Sequence, residues 1–177
     1  MELIDGHLLI KITKEPYFNE DGTYGGYPIF YKLYGVEDIR HDGLGKIYRH
    51  TLIGTCVLFD RNVDPVYAEF GAEIVYECVL AYYESIGLGS INSLYIEPEY
   101  RGQGYGLYLL SSVMYHCYNY RNLRFLEVDD VSDYTGTTRS IYYRAGFRPD
   151  SDDNHLLIDL RAAELDYHKI VNNNDDV

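Results

Sequence analysis

The sequence predicts an α/β protein, and three observations carry that prediction. Across residues 90–120 an apolar, strand-like run delivers a glycine-rich turn into a helix-like run. Strand, helix and strand follow again in RFLEVDDV, TGTTRSIYYRAGF and HLLIDL. The first 60 residues read as further strands, so one largely continuous sheet with helices packed on it accounts for the order of elements.

Taken in order, HLLIKITKE (residues 7–15) alternates apolar and polar side chains with the period of a half-buried strand. PIFYKLYGVE (residues 28–37) has the aromatic content of a strand, and KIYRHTLIGTCVLFD (residues 46–60) is long enough for a strand pair or one long strand. NEDGTYGGYP (residues 19–28) reads as a turn-rich linker. Over residues 66–86, Val66, Phe70, Ile74, Cys78 and Tyr82 recur every fourth residue and favour a helix, while IVYECVLAYY also fits a buried strand. INSLYIEP (residues 91–98) is a strand stopped by Pro98. The helix after the glycine turn carries Leu107, Leu110, Met114 and Cys117 on one face. A last helix is capped near Thr135 and closed by Gly146, and residues 155–160 supply a final strand.

With 177 residues, 46% hydrophobic and 24% charged, the chain holds one core, expected over residues 1–170, followed by a frayed acidic tail, VNNNDDV, at 171–177. No apolar run approaches the roughly 20 residues of a spanning helix, and MELID lacks the basic start of a signal peptide. A soluble, cytoplasmic protein is expected. Cys56, Cys78 and Cys117 are odd in number and in no CxxC spacing, and the six histidines form no ligand pair, so neither a disulfide framework nor a metal site is predicted. A net charge of -13 argues against nucleic acid and anionic membrane as partners and suits a cationic substrate.

The stretch EPEYRGQGYG (residues 97–106) concentrates the chemistry. A glycine turn feeding a helix N-terminus collects free amide N–H groups and the positive end of the helix dipole, and glycine lets a phosphate approach the backbone. No Lys-Ser or Lys-Thr follows Gly106, as a Walker A loop would need, and GxGxG behind an arginine is not the GxGxxG of a dinucleotide fold. A turn that merely joins strand and helix stays open on spacing alone.

The run Arg101-Gly102-Gln103-Gly104-Tyr105-Gly106 fits the pattern R/Q-x-x-G-x-G/A, and SIYYRAGF (residues 140–147) follows it with a strand between. On these two motifs, in this order, residues 90–149 resemble the GNAT superfamily of acyl-CoA-dependent N-acetyltransferases. The resemblance implies a single domain built on a central mixed, mostly antiparallel sheet. Helices flank that sheet, and its fourth and fifth strands splay apart. It implies acetyl-CoA as cosubstrate, with its pyrophosphate on the amides of Gln103, Gly104, Tyr105 and Gly106 beside Arg101 and Gly102, and its pantetheine arm along Leu94, Tyr95 and Ile96. Tyr142 falls where the family places its general acid, and Arg144 falls where members often carry a lysine that meets a CoA phosphate.

Two departures stand out against that pattern. Ser90 occupies the place of a glutamate base found in some members, leaving Ser90 or Asn92 to order a water that relays the proton. Thr135 replaces an asparagine that contacts pantetheine. Asp129, Asp130 and Asp133, just past the fifth strand, are the carboxylates placed to bind an ammonium acceptor or take its proton. The partners expected are a small-molecule or peptidyl amine, with a homodimer as an option. The missing glutamate also leaves a second function open, a catalytically silent CoA-binding or regulatory module.

Overall fold

The structure, a computed structural model, describes residues 2–5, 7–18, 21–42, 45–60, 87–133, 139–150 and 153–162. Strands β1 (Glu2–Asp5) and β2 (Leu8–Lys14) form a hairpin, and β3 (Tyr17–Phe18) and β4 (Tyr24–Gly26) form a separate small pair. The long strands β5 (Ile29–Asp42) and β6 (Gly45–Asp60) pair antiparallel along nearly their whole length. Then come β7 (Leu88–Ile96), a 3-10 turn (Pro98–Tyr100), α1 (Tyr105–Tyr120), β8 (Phe125–Asp129), α2 (Ile141–Ala145), β9 (Arg148–Pro149) and β10 (His155–Asp159). The main sheet has the order β1-β2-β5-β6-β7-β8-β10-β9. Every neighbouring pair in it is antiparallel except β7 and β8, whose parallel pairing needs a crossover; α1 supplies it.

Helix α1 forms because apolar residues recur at three- and four-residue steps, and it buries that stripe on the sheet. Leu109, Leu110, Val113, Met114 and Cys117 pack against Tyr31, Leu33, Cys56, Leu58, Ile91 and Leu126. Each fully buried leucine in this contact is worth about 1.5 to 3 kcal/mol relative to exposure. Of the predicted face, Leu110, Met114 and Cys117 are buried and Leu107 is half-buried. The helix stops at Arg121, whose N–H bonds to the Cys117 carbonyl, and Asn122 then turns the chain in the left-handed region, φ 55°. The Arg121 guanidinium reaches Asp60 at 2.6 Å, tying the C-terminal end of α1 to the end of β6.

Several expectations change in detail. Residues 46–60 are one strand, and residues 28–37 belong to a strand that runs on to Asp42, because β5 and β6 continue to pair where no apolar alternation marks them. The stretch 19–28 is more than a linker, since Tyr24–Gly26 pairs with β3. Residues 66–86 and the tail 171–177 lie outside the described residues.

Candidate active site

The sheet opens between its two parallel strands. β7 and β8 are in register from Leu88↔Phe125 to Ile91↔Val128, after which β8 ends at Asp129 while β7 runs on to Ile96. Opposite β6, Leu58 pairs with Ile91 and Val57 with Ser93, so Asn92 is an extra residue, a β-bulge that bends β7 away from β8. From Asn92 to Ile96 one edge of β7 is held by β6, and among the described residues no strand pairs with the other. This is the splay the sequence implied, and Leu94, Tyr95 and Ile96 line its edge.

The glycine loop sits at the open end of that gap. Gly102 (φ 78°) and Gly104 (φ 87°) adopt the left-handed backbone that side chains resist, and a Cβ on either would meet nothing within 4 Å. The space beside them is unfilled by protein. Gly106 serves a different purpose: a Cβ there would lie 2.8 Å from Ile141 Cδ1, so its absence lets α2 approach α1. Gly104 precedes α1, and its carbonyl takes the first helical bond, from Tyr108 N–H at 3.1 Å. The N–H groups of Tyr105, Gly106 and Leu107 are thus the first-turn donors that have no partner within the helix. A cavity of about 260 Å³ adjoins them, lined by Gly102, Gly104, Gly106, Ile96, Ile141 and Arg144. Unpaired donors, a helix N-terminus and an arginine on a cavity that glycine keeps open fit a phosphate group. Gln103 braces the loop by donating Nε2–H to the Glu99 carbonyl at 3.0 Å. Arg101 folds back on the strand end: its Nε donates to the Ile96 carbonyl at 2.9 Å and its guanidinium covers the exposed Tyr95 ring at 5.3 Å. Tyr105 and Tyr100 stack edge-to-face, 6.1 Å apart, behind the loop.

Helix α2 brings Tyr142 to the gap. Ser140 precedes the helix and Gly146 closes it with φ 102°, its N–H returning to Tyr143 and that of Phe147 to Tyr142. Tyr142 is buried, its ring edge-on to Phe147 at 5.7 Å. Burial first, and then the nearby Cys56 thiol and Asp130 carboxyl, push its phenol above the ordinary tyrosine range. Cys56 belongs to β6 and Asp130 follows β8, and the Tyr142 ring is part of the core buried between α2 and the sheet. Arg144, exposed, lines the loop cavity. Thr135 lies outside the described residues; the helix starts at Ile141, and Ser140 is the residue that precedes it.

Among the three aspartates the structure separates roles. Asp130 is 1% exposed, accepts a hydrogen bond from Ser132 N–H at 3.1 Å and takes another from the Ser140 hydroxyl. The carboxylate expected to meet the acceptor is thus buried and held by Ser132 and Ser140. Asp129 and Asp133 are exposed. On β7, Ser90 is half-buried and Asn92 exposed, and Ser90 has Glu127 of β8 as its register partner. Glu127 is buried and was not singled out from the sequence. Its signal was a carboxylate between Leu126 and Val128 inside an otherwise apolar strand.

Neither described cysteine is placed as a nucleophile. Cys56 and Cys117 are fully buried free thiols; burial pushes Cys117 up to about 12 and Cys56 higher. Cys78 lies outside the described residues. A second cavity, about 420 Å³, lies behind Tyr100 and Tyr105 against Gly35, Glu37 and Thr51, and neither Tyr142 nor the glycines line it. Among the described residues no helix is long and apolar enough to cross a membrane.

A strand pair that parts beside an open glycine cradle is the geometry of an acyl-CoA-binding fold. The profile of the acetyltransferase (GNAT) domain matches residues 51–149, more than half of the chain, and the chain belongs to that family, whose cosubstrate is acetyl-CoA. Solved structures similar to it include a mutant of KacT, 19% identical with TM-score 0.48 over 78% of this chain and 74% of that one. AtaTR bound with acetyl-CoA is 16% identical, TM-score 0.49, over 79% and 72%. A mutant spermidine/spermine N-acetyltransferase SpeG from Vibrio cholerae is 14% identical, TM-score 0.46, over 78% and 70%. Among curated proteins none matches the sequence.

Proposed function

We propose that this protein moves the acetyl group of acetyl-CoA to a primary amine by direct attack in a ternary complex. The observation that carries the reading is the edge of β7 from Asn92 to Ile96, unpaired among the described residues, with the glycine cavity at its end, where Ile96 lines it. Acetyl-CoA, when bound, supplies an activated thioester carbonyl. The amides of Tyr105, Gly106 and Leu107, with Arg144, hold its phosphates, and the edge at Leu94, Tyr95 and Ile96 orders its arm as an added strand. Tyr142, kept protonated by burial, donates to the departing sulfur. Helix α1 and the cradle lie on one face of the sheet, and the acceptor approaches from the other. Asp129 and Asp133, exposed beyond β8, and the net charge of -13 favour a cationic amine.

The test is turnover of acetyl-CoA with spermidine, kanamycin and a lysine peptide, alongside calorimetric binding of CoA. Amide formation with any of them supports the reading. CoA binding without turnover of any amine supports instead the silent CoA-binding module, which Ser90 on β7 favours by offering no carboxylate there.

A further inference from the structure

Taking a carboxylate out of water costs several kcal/mol unless partners offset it, so one in the middle of a strand calls for a reason. The Glu127 side chain is 6% exposed, in the middle of β8. Its register partner is Ser90, one step before the last β7–β8 pair, Ile91↔Val128, beyond which the strands part. Partners in register share a face of the sheet, and Leu126 and Val128, on either side of Glu127, turn into the helix-side core. The carboxylate therefore stands at the closed end of the gap, on the face opposite Tyr142 and the glycine loop. From it a line of groups leads outward. His155 on β10 brings Nε2 to 3.6 Å from Glu127 Oε2 and Nδ1 to 3.0 Å from Asp129 Oδ1. Side-chain exposure rises along the line from 6% at Glu127 to 16% at His155 and 80% at Asp129.

We infer that Glu127 is the carboxylate that takes the proton of the acceptor amine, with His155 and Asp129 as its outlet to solvent. The inference rests on the amine acetylation proposed above. The acceptor arrives as an ammonium ion and gives one proton to the Glu127 carboxylate, which frees the nitrogen lone pair. The nitrogen then bonds to the acetyl carbon, the carbon–sulfur bond breaks, and sulfur takes the phenolic proton of Tyr142. A second nitrogen proton restores the phenol, while the first leaves through His155. The products are an amide, a thiol and one proton, which balances the step. The carboxylate thus replaces, from the neighbouring strand, the one that Ser90 does not provide. His155 faces Glu127 from β10, and Asp129, two residues on in β8, faces His155. Asp159, further along β10, is held by Arg124 at 3.0 Å, and Tyr17 lies beyond Phe59 of β6.

The experiment compares wild type, Glu127→Gln and Glu127→Asp, using the fastest of the three amines above as acceptor, from about pH 6 to about pH 10. Acceptor kcat/KM in Glu127→Gln is expected to fall about 100-fold at neutral pH. The deficit should shrink as pH approaches the amine's own pKa, where solvent supplies free amine, and Glu127→Asp should recover part of the loss. The CoA dissociation constant, read by calorimetry, should stay within about two-fold, since the cradle lies on the other face. If Glu127→Gln does not fold, His155→Gln carries the test, with a several-fold deficit and the same pH trend. A deficit that is constant with pH, or no deficit in acceptor kcat/KM, overturns the inference while leaving the acetyltransferase reading intact. A wild-type chain that binds CoA and acetylates none of the amines ends both.

Discussion

The Ser140 hydroxyl donates a hydrogen bond to the buried carboxylate of Asp130, so the residue that precedes α2 is fastened to the residue that follows β8. Helix α2 has only five residues, too few to be stable alone, and its placement depends on such anchors and on Tyr142, Ala145 and Phe147 packing into the core. Tyr142 is two residues from the anchor.

Asp130→Asn removes the charge that strengthens this bond and leaves buried polar groups less well matched. A loss of roughly 1.5 to 3 kcal/mol in folding free energy is expected, read from denaturant midpoints. Because the carboxylate is engaged by Ser140 before α2, kcat should fall while the acceptor KM stays near wild type. A selective rise in acceptor KM would return Asp130 to the substrate pocket.

Gly104 and Gly106 separate two uses of glycine in one loop. Gly104→Ala places its Cβ in open space, so its structural cost is the left-handed backbone alone, roughly 1 to 2 kcal/mol. CoA affinity should drop ten-fold or more, as the phosphate-facing amides lose their approach, worth roughly 1.5 kcal/mol for each charged hydrogen bond lost. Gly106→Ala instead presses on Ile141 and should disturb kcat through α2. Calorimetry on the two variants distinguishes them; unchanged CoA binding by folded Gly104→Ala would remove the loop from the cofactor site.

His116 makes a pH prediction away from the gap. The Tyr31 hydroxyl and its Nδ1 are hydrogen-bonded at 2.8 Å, and the Tyr120 ring stacks on it at 5.6 Å. Burial, and then the Arg121 charge, lower its pKa from 6.5 to about 4. The folded value lies below the unfolded one, so between about pH 6.5 and about pH 4 the unfolded chain takes up a proton that the folded chain refuses. Stability should therefore decline with falling pH across that window, by on the order of 3 kcal/mol at most, with no contribution from this group above neutrality. His116→Gln should be less stable at pH 7 by about 1 to 3 kcal/mol, yet lose less on acidification. Equal acid slopes in the two proteins would show that another group governs the loss.

What the sequence revealed and what it hid follow from the physics of each segment. The glycine loop and the Gly146 turn were legible because left-handed backbone restricts residue choice locally, and α1 because one helix face repeats within a few residues. The burial of Asp130 was hidden because its Ser132 and Ser140 partners are set by tertiary folding. Glu127 was passed over because its meaning lies in register: only the pairing of β7 with β8 puts it beside Ser90. The far ends of β5 and β6 were hidden for a similar reason, since cross-strand pairing, not apolar alternation, extends them.

Tyr142→Phe tests the acid most directly. The change keeps the ring that packs on Phe147 and removes only the hydroxyl, so folding and CoA binding should hold. General acid catalysis is commonly worth 10² to 10⁴-fold, but a thiolate leaves readily and water can substitute, so a fall of roughly 10 to 100-fold in kcat is expected. Because burial raises the phenol's pKa, the group stays protonated through the alkaline range, and kcat should show no loss from its ionisation below about pH 10. The same shift fixes a sign for stability: the folded pKa exceeds the unfolded one, so Tyr142 contributes fully below about pH 10 and loses that contribution as pH rises further. The phenylalanine variant should accordingly lose less stability than wild type on strong alkalinisation. Tyr143→Phe is the control, since that half-buried ring packs under Arg148, 6.0 Å from its guanidinium, and it should leave kcat near wild type. Single-turnover kinetics decide the matter. If chemistry limits the rate and Tyr142→Phe still matches wild type, the hydroxyl donates nothing, and the proton on the departing sulfur comes from solvent.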